Sequence, residues 1–397
     1  MTAKSWKVPA LRVASEEMLH LDLLRFIASI GIVVRHSFEF FFPAVTRSAL
    51  PSGLALFVDL FFVISGFVIA HVYRGKVGTV SDYGTFLQRR VGRLMPLHWL
   101  TLAASIIVWS VFVVLGKAGN HQPSFEATCI AETALLLNAM LTCGNGISFS
   151  SVSWSIGAEM VMYLMFPLFA WAAIRSRLGL LVASFLVLVA MIAVDLTQNS
   201  VDRSWVDVLP PFRALPSFMI GICLFCFRHE LQIIPAPGRA LLLSMALLLI
   251  SMITYTHHLI SLGLVYVVAI TAMAADQRTA PPFVKRLAPL GQLTYSIYMW
   301  HSLVILIVMN AIADKLFHAS PGLMVPFCIV SWLIIFAISY FSYFVIETPA
   351  RRYIDGLGRA NKRRVADVVV SENEGYDVKQ ANRSNTRLIG PKSQIHS

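Results

Sequence analysis

LDLLRFIASIGIVVRHSFEFFFP, residues 21–43, reads as a membrane helix interrupted by charge. Asp22, Arg25, Arg35, His36 and Glu39 sit in or at the edge of a run otherwise fit for lipid. An ionisable group near the bilayer centre costs about 2.5–3.5 kcal/mol on insertion scales, so such groups persist only where they face the protein interior and find partners. Arg25 and His36 are eleven residues apart. At about 100° per residue both fall within about 20° of one helix face, separated by about 16 Å along the axis. Ser29 lies near the same stripe. Asp22, three residues before Arg25, can pair with it, and Glu39, three after His36, can orient the imidazole. Arg35 stands one position off the stripe and reads as a side chain reaching for the helix end.

The whole chain shares this character. Of 397 residues, 57% are hydrophobic and 13% charged, and mean hydropathy is +0.70. A soluble domain carries about 25% charged residues, and half that cannot clothe a water-facing surface. Disorder, a nucleic-acid-binding domain and a disulfide-rich secreted module are excluded. What remains is an all-α, polytopic membrane helix bundle. The net charge of +11 then reads as a topology signal, with no nucleic-acid partner.

Ten apolar stretches, 21–42, 54–73, 97–115, 154–174, 178–196, 212–227, 240–256, 259–275, 292–311 and 323–346, predict ten transmembrane helices. An eleventh, 129–142, is short and carries Glu132 and Asn138. If it does not cross and the N-terminus is cytoplasmic, inside segments hold 21 Lys and Arg against 5 outside, namely Arg47, Lys117, Arg203, Arg213 and Lys315. Making it a span would reverse that asymmetry for everything downstream. Residues 116–153 are therefore expected to form one outer loop with a half-inserted or interfacial helix, and both termini to lie inside. The expected organisation is a cytoplasmic N-terminal segment over 1–18, a membrane domain over 19–353 and a disordered cytoplasmic tail over 354–397. No signal peptide is evident in the first apolar stretch.

Three further regions put polar groups at membrane depth. FLQRRVGRLMPLHW, 86–99, places Arg89, Arg90 and Arg93 at the inner mouth of the third span. Such a cluster suits phosphate recognition through guanidinium forks and equally suits a topology signal. SVSWSIGAEMVMYLMFP, 151–167, carries Glu159 with Tyr163 one turn on. LTYSIYMWHS, 293–302, carries Tyr295, Ser296, Tyr298 and His301. Asp59 lies near the outer end of the second span. The Cys223 and Cys226 pair lacks any redox or metal context, and Cys129 and Cys143 bracket the short outer helix. No metal site is expected.

Taken in order, these motifs resemble the bacterial acyltransferase-3 family of integral-membrane O-acyltransferases, which decorate surface polysaccharides and related glycans. The resemblance runs from about residue 20 to 353 and rests on Arg25 with His36, on VDLFFVISGFVIA, on Arg90 with Arg93, on the Trp154–Glu159–Tyr163 segment and on the Ser296–Tyr298–His301 segment. It implies a stand-alone acyltransferase bundle in the cell inner membrane. It also implies acyl-CoA, acetyl-CoA by default, as a cytoplasmic donor substrate rather than a resident cofactor. The acceptor would be an extracytoplasmic glycan or lipid-linked sugar.

Against that background the arginines Arg89, Arg90 and Arg93 are placed for the donor's phosphates, and Arg25 to guide the thioester arm or polarise its carbonyl. His36 is suited to take a proton from the acceptor hydroxyl. Glu159 and His301 would line the acceptor side or support His36, and Tyr163, Tyr295 and Ser296 would contact substrate. Direct transfer is preferred, with an acyl-histidine intermediate the alternative. The rival class is a transporter or flippase of a glycan or small solute. It predicts repeat-related halves with broken helices, and no internal repeat is found.

Overall fold

A computed structural model of the chain describes residues 11, 18–41, 53–117, 122–144, 146–197, 210–254 and 257–357. Most of the expected N-terminal segment and nearly all of the tail fall outside these. The described residues are helical with no strand. Six helical runs are long and apolar enough to cross a membrane: 80–114, 153–175, 177–194, 258–275, 282–314 and 321–357. Three shorter apolar helices, 57–73, 210–226 and 237–253, together with the charged first helix, Leu19–Phe41, bring the number to the ten predicted.

The centre of the bundle is the packing of α2 (Phe57–Tyr73) on α7 (Pro210–Cys226), with 13 and 11 of their 17 residues buried. Their backbones touch where side chains are absent. A Cβ on Gly66 would overlap the carbonyl of Phe218, and one on Gly221 the carbonyl of Val63. Such reciprocal glycines let helices approach where lipid supplies no hydrophobic drive to association. Next to them the Arg213 Nη2 lies 2.6 Å from an Asp59 carboxylate oxygen, both side chains at 0% exposure, and also donates to the Ala55 carbonyl at 2.9 Å. The sequence reading counted Arg213 as an outer-loop charge. It is instead the buried partner of Asp59, and its guanidinium lies over the Trp154 ring at 5.3 Å.

α1 (Leu19–Phe41) is anchored at its start. The Asp276 carboxylate, at the end of α9 (His258–Ala275), accepts from the backbone N–H groups of His20 and Leu21 at 2.7 and 3.1 Å. This satisfies donors that the first turn leaves open and sets a negative charge at the positive end of the helix dipole.

α3 (Val80–Val114) has 35 residues, so it runs about 52 Å and outreaches the ~30 Å hydrocarbon layer. Its start is capped by Thr79, whose Oγ1 accepts from the Asp82 N–H at 3.1 Å. The expected short outer helix is α4 (Ala127–Ala134), eight residues and about 12 Å, too short to cross. It is bound midway along α3. His98 Nε2 and Trp99 Nε1 donate to the carbonyls of Thr133 and Ala134 at 2.9 and 3.0 Å. Asn138 donates to Ser153 Oγ at 2.9 Å, at the start of α5 (Ser153–Arg175). A disulfide joins Cys129 to Cys143. By contrast α6 (Arg177–Thr197) turns Leu178, Val182, Phe185, Leu186 and Val189 outward, as a lipid-facing helix does. α8 (Pro237–Ile253), the short α10 (Pro282–Leu287), α11 (Thr294–Ile305) and α12 (Pro321–Ser342) complete the bundle, α11 and α12 each continuing into π-helical turns.

Candidate active site

The charged face of α1 packs on α11, which brings His36 to His301. His301 is fully buried, with Nδ1 2.6 Å from the Tyr298 carbonyl. A carbonyl only accepts, so in the neutral ring Nδ1 holds the proton and Nε2 the lone pair. That lone pair faces His36 Nδ1 at 3.2 Å, and His36 Nδ1 also lies 3.0 Å from the Ile32 carbonyl. Both neighbours accept, so His36 too holds its proton on Nδ1. The basic nitrogen of the pair is therefore His36 Nε2, and the Arg35 Nη1 donates to it at 3.3 Å. The side chain of Glu39, expected to orient the imidazole, lies outside the described residues.

His36 forms part of the wall of a cavity of about 220 Å³. Hydroxyls of Thr101, Ser105, Ser148, Ser150, Ser151 and Ser302 line it, with the rings of Trp109 and Phe149, and among the described residues His36 is its one ionisable side chain. Ser151 is exposed, which puts the mouth at the segment following the disulfide loop. That wall is held by Ser105, which donates to the Phe149 carbonyl at 2.5 Å. Tyr298, whose carbonyl orients His301, is itself fixed by Ser155 at 2.7 Å.

The remaining predicted residues gather in a second group nearer the start of α1. Arg25 lies 3.5 Å from Asp22, the pairing expected from their spacing. Its other electrostatic neighbours are Arg93, Glu159 and Tyr163. Glu159 accepts from Ser65 and from the Tyr163 hydroxyl, the latter at 2.5 Å. Arg90 is buried in an aromatic cage, donating to the Tyr73 hydroxyl at 3.1 Å with its guanidinium 5.2 Å from the Tyr73 ring and 5.8 Å from that of Tyr163. Tyr295 donates to the Leu94 carbonyl at 2.5 Å, and Ser296 to the Glu347 carboxylate. Arg93 and Arg351 are the cations beside Glu347.

Arg89 stands apart. It is exposed, 3.7 Å from Asp355, on the outer side of α3. Arg25 and His36 share a face, as their spacing requires, but the axial gap of about 16 Å keeps the guanidinium away from the imidazole. Sequence reasoning missed Glu347, whose signal was present as a carboxylate ending the apolar run 323–346. It also set Arg35 aside as a helix-end residue, although its side chain reaches the basic nitrogen of His36. Among the described residues the one cluster with metal-ligand spacing is Glu126, Cys129 and Cys143, and its two sulfurs are bonded to each other.

The acyltransferase-domain model of the acyltransferase-3 family matches residues 18–342. The chain is similar to "Protein 2 in picA locus" of Rhizobium radiobacter, 33% identical over 159 residues, 40% of this chain and 75% of that protein. It is similar to acyltransferase MdmB of Streptomyces mycarofaciens, 31% identical over 112 residues, 28% of this chain and 27% of that one. With the O-acetyltransferase OatA of Staphylococcus aureus it is 24% identical over 360 residues, 84% of this chain, and spans 57% of the relative's length. No solved structure gives a significant match. The family match takes in every helix from α1 to α12, and the chain belongs to the acyltransferase-3 family of membrane acyltransferases.

Proposed function

We infer that this enzyme moves an acyl group, acetyl by default, from acyl-CoA in the cytoplasm to a hydroxyl of an extracytoplasmic glycan or lipid-linked sugar. His36 acts as general base in direct transfer. The observation that carries the reading is the basic Nε2 of His36 on a ring that borders a hydroxyl-lined cavity. A base needs its lone pair within hydrogen-bond reach of the proton it takes, and hydroxyl walls with aromatic faces suit a sugar.

The donor reading rests on the opposite group of residues. Coenzyme A is polyanionic, and Arg90 and Arg93 lie in the N-terminal part of α3, ahead of its apolar run. Arg90 Nε is buried with no hydrogen-bond partner, a donor available to a ligand oxygen. The pantetheine arm would pass Arg25, Glu159 and Tyr163 and cover about 16 Å to reach His36. The disulfide supports an outward-facing loop, since such bonds persist in oxidising compartments. The basic residues gathered in the inside segments support a cytoplasmic position for both termini.

Mass spectrometry of the surface glycan, with and without the gene, tests the reading. Loss of a fixed acyl mass from the glycan on deletion, restored by the wild-type gene and not by His36→Ala present at normal level in the membrane, is the expected result. An unchanged glycan, or full restoration by the variant, would refute it.

A further inference from the structure

A base alone does not complete acyl transfer. Attack on a thioester carbonyl builds negative charge on the carbonyl oxygen, and a donor aimed at that oxygen is commonly the largest single contribution to rate. Arg25 cannot supply it at His36, being about 16 Å away along α1. His301 cannot either, since its one N–H points to the Tyr298 carbonyl. Among the described residues the cavity wall offers hydroxyls but no cation.

Arg35 is the cation at the right place. Its Nη1 lies 3.3 Å from the His36 Nε2, on the nitrogen that must receive the proton. We propose that Arg35 is a further catalytic residue: it covers the basic nitrogen of His36 in the resting enzyme and, when an acceptor hydroxyl takes its place there, its guanidinium binds the carbonyl oxygen of the thioester.

The acceptor O–H gives its proton to His36 Nε2 while its oxygen forms a bond to the thioester carbon. The carbonyl π pair moves to oxygen, giving an oxyanion held by the Arg35 N–H groups. Collapse restores the carbonyl and breaks the C–S bond, and the departing thiolate takes the proton back from His36 to leave as CoA thiol. At the tetrahedral stage the oxyanion lies between two cations, the guanidinium and the imidazolium. The attacking oxygen sits about 2.8 Å from Nε2 and the oxyanion is bonded to the neighbouring carbon, within the sweep of a guanidinium already touching that nitrogen.

This assignment rests on the reading of His36 as the base, and one experiment separates the two. Purified protein in detergent is given radiolabelled acetyl-CoA and base-deacylated surface glycan from the host membranes. Wild type, Arg35→Gln, Arg35→Lys and Arg35→Ala are compared, with thermal unfolding of each recorded. Arg35→Gln should lose about 10²-fold in kcat, with KM for both substrates and the unfolding midpoint close to wild type. Arg35→Lys should retain at least tenfold more activity than Arg35→Gln. Millimolar guanidinium should raise the Arg35→Ala rate about tenfold while leaving wild type unchanged, a rescue no packing defect would show. An Arg35→Gln kcat within twofold of wild type, a loss confined to KM, or no guanidinium rescue in folded Arg35→Ala would overturn the assignment while leaving His36 as base. If wild type itself moves no acetyl to the glycan, it is the proposed function that fails.

Discussion

The imidazoles of His36 and His301 meet at 3.2 Å, Nδ1 to Nε2, across 265 positions of sequence. The inner ring is pinned by the Tyr298 carbonyl, so it fixes which nitrogen of the outer ring is basic. On the general-base reading His301 is a positioning residue, because its lone pair keeps the His36 proton on Nδ1 and leaves Nε2 as the basic nitrogen.

His301→Ala should lower kcat by about 10²-fold, the lower end of what a positioned base contributes. The Ile32 carbonyl still holds the His36 proton in that variant, so activity should exceed that of His36→Ala. Steady-state rates of the two variants decide it, and equal residual activity would remove the positioning role.

Arg90 and Arg89 are neighbours in sequence and strangers in environment. Arg90→Ala should weaken acyl-CoA binding by about tenfold or more, read by calorimetry in detergent, and Arg90→Lys should not restore it, because an ammonium cannot reproduce a planar guanidinium stacked among tyrosines. Arg89→Ala should bind within about twofold of wild type, as an exposed pair with Asp355 contributes little.

The Asp59–Arg213 pair predicts an asymmetry between single and double replacements. Asp59→Leu leaves a buried guanidinium without its carboxylate and should destabilise by about 3–5 kcal/mol. Asp59→Leu with Arg213→Met should recover most of that loss, since well-packed apolar groups can replace a buried ion pair. Unfolding midpoints in detergent give the comparison, and an additive double variant would contradict it.

Cys129 and Cys143 should resist alkylation in intact cells until a reductant is added. Cys129→Ser releases a loop of about 15 residues, worth about 3 kcal/mol in chain entropy. Because that loop leads directly into the cavity wall at 147–152, KM for the acceptor should rise while KM for acyl-CoA holds.

Much of this architecture was legible from the residue order. Lipid penalises charge so heavily that ten apolar stretches, one charged face on α1 and the Asp22–Arg25 pairing could be read without coordinates. The helical period also placed Arg25 and His36 on one face. What could not be read was who meets whom across the bundle. Ser65 with Glu159, Ser296 with Glu347 and Asp59 with Arg213 are joined over 94, 51 and 154 positions, and apolar helices carry little information about their mutual register. Arg213 reads as a loop charge because it stands near a helix end. Backbone angle alone places Arg35 off the stripe, and a long side chain overcomes such an offset.

The Asp59–Arg213 pair also bears on how the protein is made. Ribosomes emit α2 well before α7, so the carboxylate emerges while its guanidinium is still unwritten. The second helix cannot settle into its final place as it leaves the insertion machinery. It must wait at a wet or sheltered site until the seventh arrives, and a chain truncated between the two should fall to quality-control proteolysis rather than accumulate as a half-built bundle.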